Sequence, residues 1–243
     1  MTIIFAVGTI ALLAFMYWGA YQNGKEIKTI EIRGNLLLQF PEFVFKILLL
    51  GLCLGIAQSL EVARPEKYFG WPPTNIWADI AIGAVIGLVC QFGANLLAAL
   101  AIRFWGTGIY SPAIMKSIVP KTWVQWILIL PPLLLAVVVE EVLFRALAIG
   151  GFSAINFPYM PWILAVGSSL LFGIVHVPQG SLGMVLAGGI GFIFAAIFIV
   201  TGSLLIVIAA HFILNFLQIL RAKEDENWFS RFTHPASSVE SNE

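Results

Sequence analysis

Six polar residues with the means for acid–base chemistry stand inside otherwise apolar stretches: Glu140, Glu141, Arg145, His176, His211 and Asn215. The first three lie in the run Val-Val-Val-Glu140-Glu141-Val-Leu-Phe144-Arg145. On a helix turning about 100° per residue, Arg145 falls about 40° from Glu141 but about 140° from Glu140. Glu141 and Arg145 therefore form an i,i+4 ion pair, a structural role, while Glu140 points elsewhere with no local counter-charge. An unpaired carboxylate adds nothing to stability in such a place, and it suits the work of a general base. His176 closes an apolar run and is followed by Pro178, so its helix stops where the imidazole is presented. His211 and Asn215 are four apart and share a helix face. One intramembrane histidine is as often a helix–helix hydrogen bond as a functional group; two, with an acidic pair and an asparagine, point to a site. Two further sets of charges read as structural. Glu42 and Lys46 form a helical pair that snorkels into the cytoplasmic headgroups, and Asp79, beside Trp77, serves as an interfacial or capping residue at a helix N-terminus.

The elements that hold these residues follow from composition. The chain has 243 residues, 60% hydrophobic and only 11% charged, against roughly 25% charged in soluble domains. Such a surface cannot be solvated as a globule. Lys and Arg (13) balance Asp and Glu (13), which leaves no basic face and excludes nucleic-acid binding. Cys53 and Cys90 both lie in apolar runs, so neither a disulfide framework nor a thiolate metal site is offered. The fold class is an all-α, polytopic transmembrane helix bundle of about seven spans, each needing about 20 apolar residues to cross a core of about 30 Å. The spans are Thr2 to Tyr21, Phe43 to Leu60, Ile76 to Ile102, Thr122 to Phe152, Trp162 to His176, Leu182 to Val200 and Leu204 to Leu220. The first is a retained helix, because no basic residue precedes it and no cleavage site follows. Residues 1–121 hold three spans, 122–220 form a catalytic helix core of four, and 221–243 are a polar tail.

Orientation follows from Lys and Arg between spans. Lys25, Lys28 and Arg33, then Arg103, Lys116 and Lys121, then Arg221, Lys223 and Arg231 share one side; Arg64 and Lys67 occupy the other. The N-terminus is expected outside and the C-terminus in the cytoplasm. With this orientation, His176 lies about 9 Å, His211 about 20 Å and Asn215 about 13 Å from the inner boundary of the core. Glu140 joins them, at about 14 Å, only if Pro131-Pro132 opens its helix, as proline does in a first turn. The segment 122–130, with Trp123 and Trp126, is then a separate interfacial piece. In the sixth span Ala187, Gly191 and Ala195 form a small-residue stripe for close helix packing.

Together the motifs resemble the CAAX protease and bacteriocin-processing family of intramembrane endopeptidases, also called CPBP or Abi, and within it the type II CAAX prenyl endopeptidases. That family carries Glu-Glu-x-x-x-Arg, Phe-x-x-x-His and His-x-x-x-Asn on successive helices. This chain has Glu140-Glu141-x-x-x-Arg145, Phe172-x-x-x-His176 and His211-x-x-x-Asn215, within about Pro131 to Leu220. Ala146 stands where the family commonly has glycine after the arginine. The first three spans match no motif.

The resemblance implies hydrolysis of a peptide bond within the membrane. The substrate would be a peptide or protein, prenylated or leader-bearing, reached from the bilayer. Amide hydrolysis needs an activated water, a base, an acid for the leaving amine and donors for the oxyanion. Glu140 and His176 would hold and deprotonate the water, His211 and Asn215 would stabilise the oxyanion, and Glu141 and Arg145 would position the site. The competing scheme gives a zinc ion to Glu140, His176 and His211, lowering the pKa of a bound water. The residues do not choose between them; the family favours glutamate and histidine catalysis with no obligatory cofactor. From other classes, an ion-coupled transporter and a non-catalytic immunity scaffold also accommodate buried charges.

Overall fold

A computed structural model of the chain describes residues 2–26, 34–60, 65–154 and 160–224. Lys28, Arg33, Arg64, Arg231 and most of the expected tail, from residue 225 onward, lie outside the described residues. The described residues form helices joined by short turns, with no strand among them. In chain order they form α1 (Thr2–Glu26), α2 (Phe40–Gln58), α3 (Pro65–Phe69), α4 (Ile76–Trp105), α5 (Ala113–Ile118), α6 (Trp123–Leu128), α7 (Leu130–Glu141), a π-helix (Val142–Gly151), α8 (Met160–Val175), α9 (Gly180–Thr201) and α10 (Leu204–Glu224). Among the described residues six stretches are long and apolar enough to cross a membrane: Ile3–Gln22, Phe40–Gln58, Ile76–Trp105, Trp123–Gly151, Val177–Thr201 and Leu204–Lys223. The protein is thus an integral, multi-pass membrane protein. Large apolar side chains such as Leu48, Val85, Phe92, Ile163 and Val200 are exposed on its outside, as lipid contact requires.

The span expected from Trp162 to His176 is the short member. It forms α8, of 16 residues, about 24 Å long at 1.5 Å per residue. That falls short of a core of about 30 Å, and the chain turns through a 3-10 turn at Val177–Gln179 before α9 begins. The long fourth stretch is interrupted where the prolines suggest. Thr122 caps α6 by accepting from the Gln125 N–H at 3.3 Å, Ile129 falls between the two helices, and Pro131-Pro132 occupies the first turn of α7, where a missing N–H costs nothing.

Helices α4 and α10 pack side by side along a stripe of every fourth residue on α4. Asp79 Oδ2 accepts from Ser203 Oγ at 2.6 Å, and the same Ser203 oxygen accepts from the Ile206 N–H at the start of α10. Asp79 is therefore a buried tie between two helix beginnings. One turn on, a Cβ at Gly83 would strike the Ile206 carbonyl; at Gly87 it would lie 2.5 Å from the Ala210 carbonyl oxygen. Partner numbers rise together, so the two helices run parallel in a fixed register.

The core lies around the π-helix, all ten residues of which are buried. Leu143, Phe144 and Leu147 pack there against Phe172 of α8, Phe194 of α9 and Val207 of α10. Ala146, 4% exposed, fits this core.

Candidate active site

Glu140 and Glu141 end α7, and Arg145 sits one turn into the π-helix. A helix with i→i+5 bonding is rare and is frequently found at functional sites; the regular 100° geometry did not anticipate it. The expected pair nevertheless forms. Arg145 Nη1 donates to Glu141 Oε1 at 3.2 Å, and Nε faces Oε2 at 3.1 Å at an angle poor for a hydrogen bond. Both side chains are at most 1% exposed. Arg145 Nη2 also donates to the Gly191 carbonyl at 3.0 Å, and its guanidinium lies 4.8 Å over the Phe172 ring. Gly191 makes that approach possible, since a Cβ there would press on Phe172 Cδ1 at 3.1 Å. The small-residue stripe of α9 thus supplies a ligand for the arginine as well as packing, a role its spacing did not reveal.

His211 is buried, 4% exposed. Its Nδ1 lies 2.6 Å from Glu141 Oε1. A carboxylate only accepts, so Nδ1–H donates and the other ring nitrogen, Nε2, is turned toward Glu140 Oε2 at 3.7 Å. Glu141 therefore does more than neutralise Arg145: it fixes the orientation of His211. The Glu140 side chain is 28% exposed, much the more accessible of the two carboxylates, as the helical geometry required.

His176 follows the last residue of α8. Its Nδ1–H donates to the Phe172 carbonyl at 2.7 Å, which in the neutral ring leaves Nε2 with a free lone pair. The turn beyond it is clamped from outside, where Ser111 N–H donates to the Gln179 carbonyl at 2.9 Å. Phe172 contacts both histidine rings, with centroids 4.7 Å from His176 and 5.9 Å from His211. This contact explains why a phenylalanine stands four residues before the histidine.

Glu140, His176, His211 and Asn215 line one cavity of about 510 Å³, so the four residues expected to act are brought together. Glu141 and Arg145 lie in the wall behind. Glu42 and Lys46 are paired as expected, and they line this cavity together with Arg221. Tyr110 lines it too, and burial pushes its phenol up to about 12, so the group stays protonated. The carboxamides Gln91 and Asn95 of α4, also in the lining, escaped a search guided by charge. Their signal was a pair of amides four apart within an apolar span.

A polytopic helical membrane protein with Glu140, two histidines and an asparagine around one cavity, and Glu141 and Arg145 behind them, has the parts of an intramembrane hydrolase. Residues 122–217 match the family model described as Type II CAAX prenyl endopeptidase Rce1-like, a likeness that covers this segment of the chain. No curated protein and no solved structure matches the chain.

Proposed function

We propose that the protein is an intramembrane endopeptidase in which Glu140 activates a water molecule to cleave a membrane-associated, prenylated or leader-bearing peptide. The observation that carries this reading is the convergence of Glu140, His176, His211 and Asn215 on one cavity within the matched segment.

Glu140 takes a proton from the water as its oxygen attacks the scissile carbonyl carbon. His176, held by Phe172 with Nε2 free, accepts a hydrogen bond from the remaining O–H and orients the nucleophile. The oxyanion is met by the Asn215 amide and by His211. To donate from Nε2, His211 must carry a second proton, and the resulting cation stands between Glu141 and Glu140, which stabilise it. As the C–N bond breaks, Glu140 returns its proton to the leaving amine. Arg145 offsets the negative charge of Glu141, and the apolar walls around the site strengthen each of these interactions.

A zinc ion on Glu140, His176 and His211 has less support. Among the described residues no three His, Cys, Asp or Glu side chains are disposed to hold one metal ion. Activity of the purified protein is expected to survive exhaustive chelation, and loss that zinc restores would reverse that assignment. The basic loops support an N-terminus outside and a C-terminus in the cytoplasm.

The test compares membrane peptides in cells carrying the wild type and Glu140→Gln. The wild type should release products missing from the variant, and identical peptide profiles would sink the reading.

A further inference from the structure

Gln91 of α4 is 6% exposed. Its Nε2 donates to Asn95 Oδ1 at 2.9 Å, and its Oε1, fully buried, has no hydrogen-bond partner among the described residues. A buried acceptor left unpaired costs about 1–3 kcal/mol, so such an atom signals a donor that arrives with a ligand or fills the site in its absence. The side chain lines the active-site cavity. The parallel register of the two helices, with Asp79 on Ser203 and Gly87 against Ala210 and Ile213, sets Gln91 level with Leu214 and Asn215. Asn95 falls one turn further, level with Gln218. Asn215 and Gln218 line the same cavity. Four carboxamides from two helices thus follow the cavity away from His211 toward Arg221.

Each carboxamide offers a donor and an acceptor without charge, the complement of a peptide main chain. An extended peptide rises about 3.3 Å per residue, and Asn95 stands about 6 Å beyond Gln91 along α4. A strand with its scissile carbonyl at Asn215 would therefore bring two successive main-chain units past the pair. We infer that Gln91, braced by Asn95, is a substrate-binding residue whose Oε1 accepts a hydrogen bond from a main-chain N–H of the bound peptide, next to the scissile bond. The inference rests on the proposed peptide hydrolysis, and it assigns a binding role to a helix outside the matched segment. Recognition through the main chain holds the peptide in register without selecting its side chains.

The test uses the full chain in nanodiscs and fluorescent peptides bearing a farnesylated cysteine followed by three residues, with each nitrogen after the cysteine N-methylated in turn. Binding to Glu140→Gln is read by anisotropy and cleavage by the wild type by fluorescence. Methylation at one position should weaken binding about tenfold, as loss of one buried hydrogen bond does. That penalty should fall below about twofold when Gln91→Met is added and persist with Gln91→Glu, which keeps an acceptor and guards against mere misfolding. Penalties that are the same with and without the Gln91 amide, or no binding at all, overturn the subsite. Binding with the expected pattern but no cleavage by the wild type leaves the subsite standing and removes the hydrolysis; cleavage with penalties independent of Gln91 does the reverse.

Discussion

Glu140 and Glu141 are adjacent in sequence and opposite in circumstance. Glu141 is fully buried between Arg145 and His211, whereas Glu140 opens on the cavity. Removing one member of a buried ion pair strands the other and costs about 3–5 kcal/mol. Arg145→Leu should therefore lower thermal stability in detergent by that order, while Glu140→Gln leaves it nearly unchanged; equal melting temperatures for the wild type and Arg145→Leu would contradict the assignment. At Asn215, loss of an oxyanion donor predicts a fall in kcat of about 10²-fold for Asn215→Ala with KM little altered, measured on any peptide the wild type cleaves. At this scale most of the site was legible, because charge inside an apolar run is rare enough to mark itself. What was hidden was uncharged or belonged to the main chain: the Gly191 carbonyl and the Gln91 and Asn95 amides.

Each element places its candidate side chain by a device of its own. Proline opens α7 nine residues before Glu140, α8 stops short so that His176 falls at a turn, and the stripe on α4 fixes α10 and with it His211. The glycines of α4 offer a direct check on the last device. Gly87→Ala puts a methyl group against the Ala210 carbonyl and should destabilise by about 1–3 kcal/mol with loss of activity. Gly93 faces open space, so Gly93→Ala should be neutral or stabilising by about 0.5–1 kcal/mol. Denaturation of the two variants, read by loss of helical signal, separates them; the same effect at both sites would argue against the packing described. Span positions and the proline break could be read from the sequence because length and apolarity determine them. The π-helix could not, since hydrophobic periodicity over ten residues does not distinguish i→i+5 bonding from i→i+4. The register of α4 on α10 likewise depends on long-range fit.

For the whole molecule, the scarcity of charge that marks a membrane protein also gathers the internal charges of the described residues: Asp79 against Ser203, the candidate site around Glu140, and the Glu42, Lys46 and Arg221 set elsewhere on the cavity. If the basic loops set the orientation, Lys223→Cys in sealed, oriented vesicles should react with a membrane-impermeant thiol reagent only from the cytoplasmic side; labelling from outside would invert the topology. The first three spans carry no motif, yet α4 forms one wall of the cavity, a dependence that only the assembled bundle reveals. Whether Glu140 activates the water that cleaves a peptide is decided with purified protein in proteoliposomes and a quenched, farnesylated peptide. Cleavage by the wild type is expected, with a rate about 10²–10⁴-fold lower for Glu140→Gln at unchanged thermal stability. Cleavage by a folded Glu140→Gln at the wild-type rate would contradict that role.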